Sequence, residues 1–182
     1  MNKTLASLTA ASALLAVAAG AFAQKDGGMT ASPLSGTDRQ FLTQCAQGSI
    51  SDYANGAAGV QSGSQAVRQY GIRVMEDHDR LNIEIMQLAG RRGLQLPLTM
   101  AEADTTKLNA LTERKGMDFD REFLRGEVQT NAQDVADAQK ELAATTDPEV
   151  RIVVTDYLNT EQAHLAEARR IQAGMGAMSG RR

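Results

Sequence analysis

One cysteine in 182 residues excludes an internal disulfide, so no covalent staple holds this chain together. After the first two dozen residues there is no long apolar run, and nothing in the remaining chain reads as a membrane span. No stretch alternates apolar and polar residues with the period of a strand, and no tandem repeat is present. There is no glycine-rich phosphate loop, and no serine or cysteine stands beside a base as a nucleophile would. Basic residues are not in excess: 19 Lys and Arg face 22 Asp and Glu, giving a net charge of −3. Scattered charge of this sign offers no footprint for nucleic acid. Histidine occurs only twice, at His78 and His164.

The chain opens with the pattern of a secretory signal. Lys3 supplies the positive start, Leu5 to Ala19 the apolar run, and Ala21-Phe22-Ala23 the small-x-small cleavage site. Cleavage after Ala23 leaves 159 of the 182 residues, with 18 basic against 22 acidic side chains. That is enough chain for one domain with a real core. The implied compartment is the periplasm, with outer-membrane association as the alternative. Residues 24–36 have turn-former composition and read as a flexible leader.

From there the pattern is helical. Thr37 and Gln40 have capping-box spacing and open a first helix running to about Gln61. Its Gly48, Gly56 and Gly59 imply close approach by a neighbouring helix, since each costs roughly 1 kcal/mol in a helix interior. Ser64 caps a second helix that ends at Gly93. Pro97 breaks the chain. Thr99 with Glu102 opens a short helix to about Arg114, and Gly116 stops it. A fourth helix spans about Asp118 to Ala144. Asp147-Pro148 caps a fifth, ending near Gln172, and the tail from 174 to 182 is expected to fray. The bundle domain thus covers 37–173. Short loops make hairpins of helices one and two and of helices four and five. The 93–117 connection is long enough to run the length of a bundle. The fold class is all-α: a ferritin-like antiparallel four-helix bundle with one short extra helix in the long crossover.

Each long helix carries a polar residue on the line that should be apolar. The lines are Phe41, Cys45, Gly48, Asp52; Gly71, Val74, His78, Leu81, Ile85, Leu88; Leu124, Val128, Asn131, Val135, Ala138, Leu142; and Val150, Val154, Tyr157, Glu161, His164, Ala168, Ile171. Positions three, four and seven apart share a helix face, so these groups point inward. Asp52, His78, Asn131, Glu161 and His164 all fall near the midpoints of their helices and are expected in one central layer. Clustering is the cheapest arrangement, because an isolated buried charge costs several kcal/mol. Glu161 and His164 form an E-x-x-H pair, half of the di-metal bundle motif. The second half is missing, since Met75 stands three residues before His78. Two readings stay open: a metal-free polar network, or one divalent ion (Fe, Mn, Cu or Zn) held by His78, His164, Glu161 and Asp52. The remainder of the run Glu76-Asp77-His78-Asp79-Arg80 reads as a solvated face around one inward histidine.

The stretches AQGSISDYANGAA (46–58), VMEDHDRLNIEIMQLAGRRGLQLP (74–97), FDREFLRGEVQTNAQDV (119–135) and YLNTEQAHLAEA (157–168) resemble the bacterial envelope family called domain of unknown function 4142. The resemblance spans Phe41 to about Ile171. It implies a ferritin-like bundle in an outer-membrane or periplasmic setting, and it supplies no activity. It also implies an acidic residue then His on the second helix, matched by Asp77 and His78, and a last-helix His, matched by His164. Such proteins usually have Glu where Asp52 stands and His where Asn131 stands, so this chain has one imidazole fewer. The expected function is a non-enzymatic binding or stress-protection role in the cell envelope. The alternatives are a mononuclear metal-binding or redox protein and small-ligand storage between the helices. Protein partner and oligomeric state are not legible.

Overall fold

The computed structural model describes residues 33–179. The expected signal over 1–23, and all of the leader before Pro33, lie outside the described residues. Five helices follow: α1 (Gly36–Ser62), α2 (Gln65–Arg91), α3 (Glu102–Thr112), α4 (Gly116–Ala144) and α5 (Pro148–Ser179). No strand occurs among the described residues. No helix among them is long and apolar enough to cross a membrane.

α1 packs along α2 and α4 along α5, and the two hairpins meet mainly through α2 and α5. Polar contacts at the ends give the direction of the crossover. The Ser64 amide, before α2, donates to the Asp120 carboxylate near the start of α4 at 3.1 Å. Arg92, at the end of α2, donates to Glu149 at the start of α5 at 2.8 Å. α2 and α4 therefore begin at the same end of the molecule, and the 92–115 connection travels its length. α3 lies in that connection and packs on α1 and α4. This is the single-crossover arrangement expected of a ferritin-like bundle.

The helix limits and caps correct the sequence reading in several places. Ser64 precedes α2 without a side-chain cap bond, α2 ends at Arg91 and not Gly93, and Gly116 opens α4 while the short α3 ends at Thr112. α1 starts at Gly36, not Thr37, because Ser35 makes the capping box: the Asp38 amide donates to Ser35 Oγ at 3.0 Å and the Ser35 amide to Asp38 Oδ2 at 3.1 Å. Leu34, placed in the leader by composition, is buried in the core just ahead of that cap. α3 is preceded by Ala101 without a side-chain cap, so the Thr99–Glu102 box does not form; Glu102 and Asp104 place negative charge at its amino end instead. The tail expected to fray from 174 is, through Ser179, a continuation of α5. Met175 gives the extra turns something to cover, since it packs onto a core cluster. Asp147 caps α5 as expected, accepting the amides of Glu149 and Val150 at 2.9 and 3.2 Å.

The small residues of α1 behave in two ways. At the α1–α2 crossing a Cβ on Gly56 would lie 2.8 Å from the Gly71 carbonyl oxygen, and one on Gly71 would lie 2.6 Å from that of Gly56. Only glycine permits this backbone approach. Gly59 admits the Phe123 ring. Gly48 is different: only the Asp52 carboxylate, at 4.0 Å, comes near.

Two apolar clusters fill the bundle. One holds Phe41, Leu42, Leu81, Ile85, Leu88, Val154 and Tyr157. The other holds Val67, Tyr70, Val74, Phe119, Phe123, Leu124 and Ile171. Each large side chain taken from water contributes roughly 1.5–3 kcal/mol. Along α2 and α5 the sequence order places His78, Glu161 and His164 between the residues of the first cluster and those of the second.

Candidate metal centre

All five expected layer residues are buried: Asp52, His78, Asn131, Glu161 and His164 expose between 0% and 4% of their surface. They are inward because they replace apolar residues on the lines that built the core. On α5 every member of the line from Val150 to Ile171 is buried.

Four of the five converge. The rings of His78 and His164 are 5.3 Å apart, centroid to centroid. One ligand atom from each of His78, Glu161 and His164 lies within 4.8 Å of the others. Asp52 is outside this trio, with its Oδ2 3.8 Å from His78 Nε2. Glu161 Oε1 is 3.7 Å from the same nitrogen. These separations are too long for hydrogen bonds. Asp52 Oδ2, His78 Nε2, both Glu161 oxygens and His164 Nδ1 are buried with no hydrogen-bond partner. Leaving such an atom unsatisfied costs about 1–3 kcal/mol.

The outer nitrogen of each histidine is occupied. His164 Nε2 lies 2.9 Å from Asp77 Oδ2, and with the carboxylate accepting, the proton belongs on Nε2. That leaves the Nδ1 lone pair facing inward. His78 Nδ1 faces Ser49 Oγ at 3.4 Å; a proton placed there leaves Nε2 as the inward lone pair. Both tautomers are assigned from the partner on the outer side. A carboxylate behind a histidine fixes ring and tautomer for a metal.

Burial governs the charge state. It pushes Asp52 and Glu161 well above the ordinary carboxylate range, and neighbouring acids push them further. It takes His78 down to about 3, aided by His164. His164 is lowered by burial, with the Asp77 contact opposing. With no cation present the interior therefore favours neutral rings and protonated acids. A divalent cation reverses that preference by displacing protons from its ligands.

Asn131 does not join the trio. Its Nδ2 donates to the Tyr70 hydroxyl at 3.1 Å, and that hydroxyl donates to Glu127 Oε2 at 2.9 Å. The Tyr70 ring meets His164 edge-on at 6.0 Å, so this network backs the site. Burial, moderated by the Tyr70 hydrogen bond, raises Glu127 to about 7.

Pattern reading missed the contacts of Asp77, Ser49, Tyr70 and Glu127. Asp77 is not merely part of a solvated face. It sits at the edge of the His78 face and reaches across to α5. The signals were weak but present: Ser49 is three residues before Asp52, Tyr70 is two turns before His78, and Glu127 is one turn before Asn131.

A crystal structure of a DUF305 fragment from Deinococcus radiodurans superposes with a TM-score of 0.70 over 78% of this chain and 99% of that one, at 16% identity. That likeness shows the fold alone. No curated protein matches the chain. The family described as "Domain of unknown function (DUF4142)" matches residues 23–171. With its sequence matched over most of its length and its fold that of a single-crossover helical bundle, this chain belongs to the DUF4142 family.

Proposed function

We propose that this protein is an exported cell-envelope protein that binds one divalent transition-metal ion in the core of its bundle. His78, His164 and Glu161 are the ligands and Asp52 the fourth donor. One observation carries the reading: inward lone pairs on three helices face one another at separations too long for hydrogen bonds, while both histidines have a partner on their outer nitrogen. Bonds of about 2.0–2.2 Å to N and O ligands place the corners of a tetrahedral site roughly 3.4 Å apart. The 3.7 and 3.8 Å spacings around His78 Nε2 come close to that. Imidazole with carboxylate suits Zn, Fe or Mn. Ligands this deeply buried leave little of the ion open to a substrate, which supports holding or sequestering metal over turnover. The signal pattern ending in Ala21-Phe22-Ala23 supports export.

The test is elemental analysis of untagged protein purified from its native compartment. One equivalent of metal per chain is expected, absent from a His78→Ala, His164→Ala double variant. Metal-free wild type that also takes up no added Zn²⁺ or Co²⁺ would leave the layer a purely structural network.

A further inference from the structure

A cleft of about 610 Å³ opens between α1, α3 and α4. Its walls include Asp104, Asp134, Glu127 and Asp52. Two cations also line it, and each is paired with an acid of its own helix: Lys107 with Asp104 at 2.8 Å, and Arg125 with Glu122. The remaining titratable groups in the wall, Asp52, Glu127 and Asp134, are acids; burial raises Asp52 well above the ordinary carboxylate range and Glu127 and Asp134 to about 7, which leaves these two partly ionised near neutral pH.

Asp52 connects the cleft to the core. It lines the cleft, is buried, has an unpartnered Oδ2, and places that oxygen 3.8 Å from His78 Nε2. Two glycines keep the walls open. A Cβ on Gly126 would meet nothing within 4 Å, and one on Gly48 would meet only Asp52 Oδ2 at 4.0 Å. α3 leans over the mouth, with Asp104 Oδ2 3.5 Å from Ser51 Oγ on α1.

We propose that this cleft is the route by which a divalent cation reaches the centre. Asp104 and Asp134 draw the ion in, and Asp52 passes it to His78. The inference rests on the metal-binding reading above and adds the direction of approach. Oxygen ligands spaced along a channel let a hydrated cation exchange its waters stepwise. With both cations offset by their own acids, the ionised fraction of Asp134 and Glu127 leaves the wall net negative, which focuses cations and speeds their capture in a salt-dependent way.

Metal-stripped protein is mixed with Co²⁺ at pH 7.5, and the visible absorption of the bound ion gives both the final occupancy and the uptake rate. Gly126→Leu fills the cleft without a backbone clash and should slow uptake tenfold or more at unchanged final occupancy. Gly174→Leu, the same change at the outer end of α5, should load at the wild-type rate. The Asp104→Asn, Asp134→Asn double variant leaves the shape intact. It should load three- to tenfold more slowly at low salt, with a flatter salt dependence. Full occupancy reached at the wild-type rate by both the Gly126→Leu and the double variant would overturn the route and leave the site standing. Wild type that binds no Co²⁺ would overturn the site, and the route with it.

Discussion

Asp77→Asn isolates the support of the site from its ligands. Asp77 lies 2.9 Å from His164 Nε2 and its side chain is 40% exposed, whereas the side chain of His164 is 5% exposed. The amide oxygen of Asn still accepts the ring proton, so geometry is preserved and only the charge behind the ring is lost. Removing such a partner typically weakens metal affinity 10- to 100-fold. Solvent screens the half-exposed carboxylate, so the lower end applies: about tenfold, or ~1.4 kcal/mol. Folding stability without metal should change by less than about 1 kcal/mol, as for other exposed pairs. Competitive Co²⁺ titration measures the first quantity and urea unfolding of stripped protein the second. Asp79→Asn is the control, the same charge change two residues away on an exposed position, and should leave affinity within twofold. If Asp77→Asn binds as tightly as wild type, or Asp79→Asn weakens binding equally, the oriented-histidine argument fails.

Two further outcomes test parts of the fold remote from the site. Glu141, on α4, is raised to about 7 by burial and by its neighbour Asp38. For Asp38 burial is outweighed by hydrogen bonds from Thr145, Ser35 and Glu141, leaving it lowered. Between its unfolded value of 4.5 and about 7, Glu141 holds in the native state a proton that the unfolded chain has released. Its contribution is therefore complete below the unfolded value and is lost as pH rises through about 7. Asp38 works in the opposite sense, at lower pH. Both carboxyls are buried, Asp38 3% and Glu141 6% exposed, so the rise from 4.5 to about 7 corresponds to about 2–3 kcal/mol between pH 5 and pH 8. Glu141→Gln should narrow the wild-type stability difference between pH 5 and pH 8 by that amount; parallel curves would refute it. Gly71→Ala places a methyl 2.6 Å from the Gly56 carbonyl oxygen. Overpacking of about 1–3 kcal/mol should exceed the ~1 kcal/mol gain in helix propensity and lower the urea midpoint. Gly90→Ala, which meets nothing within 4 Å, should raise it.

Helix identity, hairpin pairing and the inward lines were legible because a period of 3.6 residues is a local property of the chain. The same local rule put Asp52, His78, Glu161 and His164 inside. It also put Asn131 inside, but could not say that this side chain would turn to Tyr70. Cap positions were less legible. Ser35 and Thr37 both lie near the start of α1, and the choice depended on Leu34 finding the core. The end of α5 likewise depended on Met175 having a surface to cover, which no local pattern reports.

What the residues determined alone is which groups leave water. Each helix face follows from its own spacing, and burial of one or two polar groups per long helix follows from the face. What only the tertiary structure decided is which atoms of those groups meet. Asp77 and His164 are 87 residues apart, and their contact depends on how α2 and α5 rotate against each other. The same rotation leaves His78 Nε2, His164 Nδ1 and both Glu161 oxygens buried without a hydrogen-bond partner. Side-chain spacing encodes the face, but the angle and depth of helix packing encode the distance, and coordination chemistry depends on distance.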